Sequence, residues 1–302
     1  MDIEILMHKF CDHALFVRGR AKNTIKGYKK VITLYIRRGG VQKIDQVNRQ
    51  NVCEFFLFGR RELNWKATTY IHSYHNLMVF FRWCVSNGYM KENPIEDMEL
   101  PRLEKTLPKA LTSQQALRIL EVVYNLPYEF AHKYLRCRNH AIFSMFIFAG
   151  LRKSELLRLK FADIDIDNLT IFVRQGKGAK DRMIPMSYTL AQSLKRYLVE
   201  RKRLHKTCPE VFVSLRLNQG FTDSGLKRLV RKIVKVSGIK FTIHQLRHTF
   251  GTLMLEGGCD VFSLSKMMGH SNIKTTTIYL SASAKHLRFQ VSKHPMNDLM
   301  LH

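Results

Sequence analysis

Thr242-Ile243-His244-Gln245-Leu246-Arg247-His248-Thr249-Phe250-Gly251 is the stretch from which both the fold and the chemistry of this chain can be read. Thr242 followed by Gln245 fits a capping box, in which the hydroxyl takes a first-turn amide and the glutamine reaches back. A helix therefore starts here and runs to Gly257-Gly258. At about 100° per residue, Leu246, Phe250, Leu253 and Met254 share one side, while His244, Arg247, His248 and Gly251 share another. One side packs and the other is free for a ligand. The helix N-terminus adds partial positive charge for an anion, and Gly251 permits close approach. Alone, the segment also fits an ordinary amphipathic helix, so its neighbours decide.

Downstream, a short helix starts at Asp260 and stops at Gly269, whose missing Cβ suits the left-handed stop and leaves His270 on the turn. Ser271 or Asn272 then caps a third helix carrying Tyr279. Nine positions separate His270 from Tyr279, which would oppose them on one continuous helix. The break at Ser271-Asn272 lets both face one site. A lone tyrosine there is ordinary packing, and only its company makes it a nucleophile candidate.

Upstream, residues 139–149 form a strongly apolar helix whose Phe143, Phe146 and Phe148 are read as core rather than as a base-stacking platform. Gly150 ends it, and Arg152 stands at the start of the next helix, where a guanidinium can clamp two oxygens of a phosphate. Residues 169–174 and 182–186 are β-type runs around a glycine-containing loop, a hairpin with Lys177 at its tip. A lysine so placed can reach a leaving oxygen as proton donor, although taken singly Arg152 and Lys177 are ordinary surface cations. Further helices are expected from Leu111-Thr112-Ser113, over 190–204 and over 224–236.

The first 87 residues carry helical patterns only: one to about Val17, one opened by Asn23 or Thr24 as cap and running to Ile36, one over 52–58, and one over 66–85 ended by Asn87-Gly88. Asn93-Pro94, Pro101 and Pro108 then punctuate a polar stretch. The expected organisation is a helical domain over 1–96, a linker over 97–108 and a second domain over 109–302.

Fifty Lys plus Arg against twenty-four Asp plus Glu give a formal charge of +26 over 302 residues, which points to a polyanionic partner, nucleic acid above all. No apolar run is long enough to span a membrane, and Met1-Asp2-Ile3-Glu4 lacks the plan of a signal peptide, so a cytoplasmic protein is expected. The six cysteines are scattered without a CxxC pair, which argues for reduced packing thiols and against a zinc site or disulfide framework. An arginine-histidine-tyrosine set needs neither metal nor cofactor for phosphate chemistry.

These boxes, in this order, closely resemble the tyrosine recombinase or phage integrase family, particularly its short Xer-type members. The resemblance is carried by residues 149–156, Gly176-Lys177-Gly178, residues 244–250 and the stretch from Leu264 through Gly269-His270 to Tyr279. Asn23-Thr24-Ile25 with Tyr28, and Asn93-Pro94, extend it weakly to the first domain. It implies a mainly α fold: a helical, SAM-like core-binding domain, then a mostly helical catalytic domain with a small antiparallel sheet, the two clamping a duplex. Arg152, Lys177, His244, Arg247 and His270 would be the activating set and Tyr279 the nucleophile, with Glu155 orienting the arginines and His244 helping to deprotonate or orient the phenol.

The implied activity is site-specific recombination of double-stranded DNA through a 3′-phosphotyrosyl intermediate and a Holliday junction, without cofactor. Four subunits would act on two duplexes, possibly with a paralogous recombinase, in a prokaryotic cell. The task would be integration or excision of a mobile element, or resolution of DNA multimers. A chain starting on the core-binding pattern suggests short core sites without an arm-site module. The segment with Leu287, Phe289 and Val291 would form a terminal helix packing on a neighbour or on its own subunit. A type IB topoisomerase shares the same side-chain logic, and a catalytically silent DNA-binding protein would share the scaffold.

Overall fold

In the computed structural model the chain divides into two compact units, Met1–Lys105 and Thr106–His302. The structure describes residues 1–103, 109–128, 132–174, 181–270, 272–280 and 291.

The first unit is built from α1 (Ile3–Asp12), prolonged by one π-helical turn over His13–Val17, then α2 (Lys22–Gly39), α3 (Arg49–Arg61) and α4 (Ala67–Ser86). Asp2 caps α1 by accepting the amides of Glu4 and Ile5. Leu6, Phe10, Ile32, Tyr35, Phe56, Leu77, Phe80 and Phe81 form the fully enclosed interior. Tyr35 meets Phe55 and Phe81 edge-on at 5.4 and 5.9 Å, the arrangement that ring quadrupoles prefer. Its hydroxyl donates to Asn51 at 2.8 Å, so the polar end is satisfied where it is buried.

Asn23 and Thr24 do not cap α2. The cap lies two residues before Asn23, at Ala21, which is extended and makes no side-chain bond. The Thr24 amide instead bonds the Ala21 carbonyl at 2.8 Å, a backbone solution that leaves both polar residues in the first turn. At the far end of α4, Asn87 and Gly88 (φ 74°) close the helix as expected.

In the second unit, α6 (His132–Phe148) packs between α5 (Ser113–Asn125), capped by Thr112, and α8 (Tyr188–Arg203). Phe143 and Phe146 are fully buried, so the aromatic stripe is core. After α7 (Lys153–Arg158) comes a three-stranded antiparallel sheet in the order β1 (Ile164–Asp165), β2 (Thr170–Val173), β3 (Arg182–Pro185). Ile171 pairs with Ile184, both fully buried, which fixes the apolar face of the sheet. The two-residue β1 was not expected, being too short to show an alternation. The hairpin loop with Lys177 lies outside the described residues.

The remaining helices are α9 (Asp223–Ser237), α10 (Ile243–Glu256), α11 (Val261–Met268) and α12 (Lys274–Leu280). Thr242 and Gln245 close the capping box on α10. Asp260 caps α11 and Gly269 ends it at φ 63°. All six cysteines are free thiols, four of them buried. Among the described residues no helix is long and apolar enough to cross a membrane.

Candidate active site

The site grows from the end of α6. Gly150 adopts φ 59°, and a Cβ there would lie 2.2 Å from a ring carbon of Phe250. Only glycine satisfies both the conformation and the contact. The turn sends the Gly150 carbonyl toward α10, where Arg247 donates to it at 2.5 Å. Two residues on, Arg152 stands extended at the N-cap of α7, and Glu155 reaches back to its amide at 2.7 Å while also accepting from its guanidinium at 2.7 Å.

Three guanidiniums then end on three consecutive carbonyls at the close of α11. Arg182, from the first position of β3, donates to Met267 at 2.8 Å, Arg247 to Met268 at 2.5 Å, and Arg152 to Gly269 at 2.8 Å. The last carbonyls of a helix lack intrahelical partners and carry the negative end of its dipole, so this terminus suits cations. Arg182 also forks onto both oxygens of Glu155 at 2.9 and 2.8 Å. Burial pushes the Glu155 carboxyl up, but Arg182 and then Arg152 outweigh it and hold the group at about 2. Glu155 is thus the shared anion of two arginines.

Arg247 is 3% exposed, and its partners among the described residues are two carbonyls and an imidazole, none of them anionic. Burial, reinforced by Arg152, lowers its pKa to about 10, which leaves it charged at neutral pH. A cation buried without a paired anion calls for one from a ligand. Beside it, a cavity of about 730 Å³ is lined in part by Arg152, Lys153, Phe241, His244 and Arg247.

The tyrosine side is assembled differently. Tyr279, 2% exposed on α12, lies flat over Gly251 of α10, where an added Cβ would stand 3.0–3.1 Å from its ring. Gly251 does allow close approach, to the phenol ring. The Tyr279 hydroxyl lies 2.9 Å from Nδ1 of His248. The His244 ring, one turn earlier on α10, meets that of His248 edge-on with centroids 4.3 Å apart. His270 stacks parallel to Tyr279, with centroids 6.5 Å apart. Its Nε2 lies 3.2 Å from Arg247 and its Nδ1 2.7 Å from the Thr276 hydroxyl. Because arginine can only donate, Nε2 accepts and the ring proton is assigned to Nδ1.

Burial, then neighbouring cations and imidazoles, lowers His248 and His270 to about 4, and His244 is lowered by burial and then by Arg247 and Arg152. All three are neutral imidazoles at pH 7. Burial raises the Tyr279 phenol, against smaller downward pulls from Arg247 and Arg152.

Five of the residues singled out from the sequence, Arg152, His244, Arg247, His270 and Tyr279, therefore gather around one point, with Glu155 in contact with Arg152. Lys177 lies outside the described residues. Arg182, His248 and Thr276 were given no role. His248 was visible on the polar face of the 244–251 segment, whereas Arg182 read only as the start of a strand. Thr276 gave no signal.

Residues 109–286 match the phage integrase family, and residues 6–90 match the N-terminal SAM-like domain of phage integrases. A tyrosine recombinase XerA of Pyrococcus horikoshii is 32% identical over 289 residues, covering 95% of this chain and 93% of that relative. A tyrosine recombinase XerC of Thermodesulfovibrio yellowstonii is 31% identical over 300 residues, covering 95% of each. In fold, the chain resembles the XerH site-specific recombinase bound to palindromic difH substrate in a post-cleavage complex, with a TM-score of 0.75 at 21% identity, covering 95% of this chain and 83% of that one. The chain belongs to the phage integrase family, as a tyrosine recombinase of the Xer type acting in site-specific DNA recombination.

Proposed function

We propose that this chain cuts double-stranded DNA at a specific core site with Tyr279 as nucleophile and rejoins it to a new partner through a Holliday junction. The observation that carries this reading is the buried Arg247, bonded among the described residues to no anion, lying with Arg152 and two imidazoles beside the Tyr279 phenol. Arg152 and Arg247 bind the scissile phosphate and stabilise its pentacoordinate state, helped by His270; His244 helps to deprotonate or orient the phenol, and Glu155 keeps Arg152 oriented. Tyr279 bonds phosphorus and gives a 3′-phosphotyrosyl link with a free 5′-hydroxyl. Lys177, by its place in the sequence frame, protonates the leaving oxygen. One ester replaces another, so the exchange needs no external energy source.

Solved relatives of similar fold are held on DNA, including XerH on difH and a λ integrase dimer on a core site. Four copies of this chain, with or without a paralogue, would act on two duplexes on the nucleoid of a prokaryotic host, to move an element or resolve a multimer. The domain division proposed is a DNA-binding segment over 1–96, a linker over 97–108 and the catalytic portion over 109–302.

The test is covalent trapping on a nicked suicide substrate. Its core sequence is found by recovering host DNA that partitions with protein into phenol. Wild type forms an adduct and Tyr279→Phe forms none; an equal adduct from the variant removes Tyr279 as nucleophile. Binding weakens with salt at a slope of about −0.9 per neutralised phosphate in log K against log salt.

A further inference from the structure

The phenolic proton needs a destination, and the imidazole in contact with the phenol is His248 rather than His244. Among the described residues, the Tyr279 hydroxyl has a single hydrogen-bond partner, Nδ1 of His248 at 2.9 Å. A phenol of this kind ionises near ~10 when free, and burial raises Tyr279 further. Direct attack at neutral pH therefore requires that its proton leave as the bond to phosphorus forms.

We propose that His248 is the proton acceptor for Tyr279 in strand cleavage, and the donor that returns the proton when the strand is rejoined. This rests on Tyr279 being the nucleophile. In the forward step the Tyr279 O–H bond breaks and its proton moves to His248 Nδ1. At the same time the phenolic oxygen bonds phosphorus, and the bond from phosphorus to the 5′-oxygen breaks. The leaving oxygen takes its proton from Lys177.

Several features fit an acceptor rather than a bystander. His248 is neutral at pH 7, held so by burial and then by His244 and Arg247, and with its ring proton on Nε2 its Nδ1 lone pair faces the hydroxyl. Gly251, one turn from Arg247 on the same helix, lets the phenol lie close enough to α10 for that bond to form. His244 packs edge-on against the His248 ring and limits its rotation. Among the described residues, the groups facing His248 are His244 and Arg247 from its own helix α10, Tyr279 from α12, and His270 from the turn before α12.

Arg247 is the full cation in that set. Its downward pull on His248 is smaller than that of burial or His244, and a phosphate bound against Arg247 offsets that part of it. The free protein keeps a weak base beside a buried phenol.

The experiment uses the full chain and the suicide substrate described above, with single-turnover cleavage as the readout. His248→Ala, His248→Gln and His244→Ala are compared, each with tyrosine or a difluorotyrosine at 279; fluorination makes the phenol ionise at the assay pH and removes the need for a base. His248→Gln retains a hydrogen-bond acceptor but cannot take a proton, and it stands in if the alanine variant fails to fold. With tyrosine, both His248 variants should cleave ~10²–10⁴-fold more slowly than wild type while binding the core DNA as tightly. With difluorotyrosine, that deficit should nearly vanish.

An equal deficit with both phenols, or a full rate in His248→Gln, overturns the proposal and reduces His248 to a positioning residue. A His244→Ala deficit that alone disappears on fluorination transfers the base to His244. If wild type forms no adduct on any recovered DNA, the nucleophile assignment falls and this inference with it. An adduct in wild type with His248 variants unaffected overturns the inference alone.

Discussion

Arg152, Arg182 and Arg247 are each tied by at least two hydrogen bonds to carbonyls, a carboxylate or an imidazole, whereas the Tyr279 hydroxyl has one partner among the described residues and its ring rests on a glycine. The arginine half draws on α6, α7, β3, α10 and α11. The tyrosine half is chiefly one face of α10 against the seven residues of α12. Groups that must present fixed positive charge to a phosphate are over-determined, because their mutual repulsion would otherwise splay them. The group that must move from a proton to a phosphorus atom is held lightly. Substitutions in the first half should therefore damage fold and chemistry together, and those in the second should damage chemistry with little loss of fold.

The largest expected effect is at Arg247. Arg247→Ala removes the buried cation and strands the Gly150 and Met268 carbonyls, so single-turnover cleavage should drop by about 10³-fold, with the thermal midpoint falling as well. A variant that loses cleavage at an unchanged midpoint would break the comparison.

Next comes Glu155→Ala, which leaves two guanidiniums without their common anion in a nearly enclosed position. Removing one partner of such a set costs about 3–5 kcal/mol, read as a shift in the urea midpoint. A shift near zero would mean that the helix terminus alone suffices to hold Arg152 and Arg182.

Gly251→Ala pushes a methyl to within 3.0–3.1 Å of the Tyr279 ring. Cleavage should slow by up to about 10²-fold through displacement of the phenol, at a stability loss of roughly 1–3 kcal/mol. A loss as large as that of Glu155→Ala would show the two halves to be equally constrained.

The smallest effect sharpens the contrast by pH. His248 and His270 take up protons near 6.5 when unfolded but only at about 4 when folded. The unfolded chain thus binds more protons between those values, and stability falls as pH falls through that window. Glu155, at about 2, stays ionised in the folded chain throughout it, and its contribution is lost from about 4.5, the unfolded value, downward, mostly below this window. Amide protection, taken relative to the intrinsic exchange rate at each pH, should fall in α12 before it does in α7 between pH 7 and pH 4; simultaneous loss would contradict the division.

Much of this was legible in the sequence because it depends on local rules. The capping box at Thr242, the cap at Asp260, the stop at Gly269 and the paired strands all follow from residue type at fixed spacing, and each is present. The Asn23 or Thr24 cap failed because backbone bonds alone can begin a helix, which composition does not reveal. At the site, the convergence of Arg152, Arg247, His270 and Tyr279 was legible only as a family frame. What remained hidden was the means of holding it: the acceptors for the arginines are the carbonyls of Gly150, Met267, Met268 and Gly269, and every residue has a carbonyl. Arg182 went unseen for the same reason, and its carboxylate partner stands 27 positions away.

The three successive carbonyls that finish α11 set a limit on how this region can diversify. Adding or deleting a residue within Val261–Met268 would turn that terminus by about 100° relative to the helix start, carrying three acceptors away from three arginines in one step. Substitutions on the outer side of α11 are tolerable individually, but its length is not negotiable, so insertions that surface loops absorb freely should be lethal here. A scan of single-residue insertions along residues 257–274 would map that intolerance as a sharp trough.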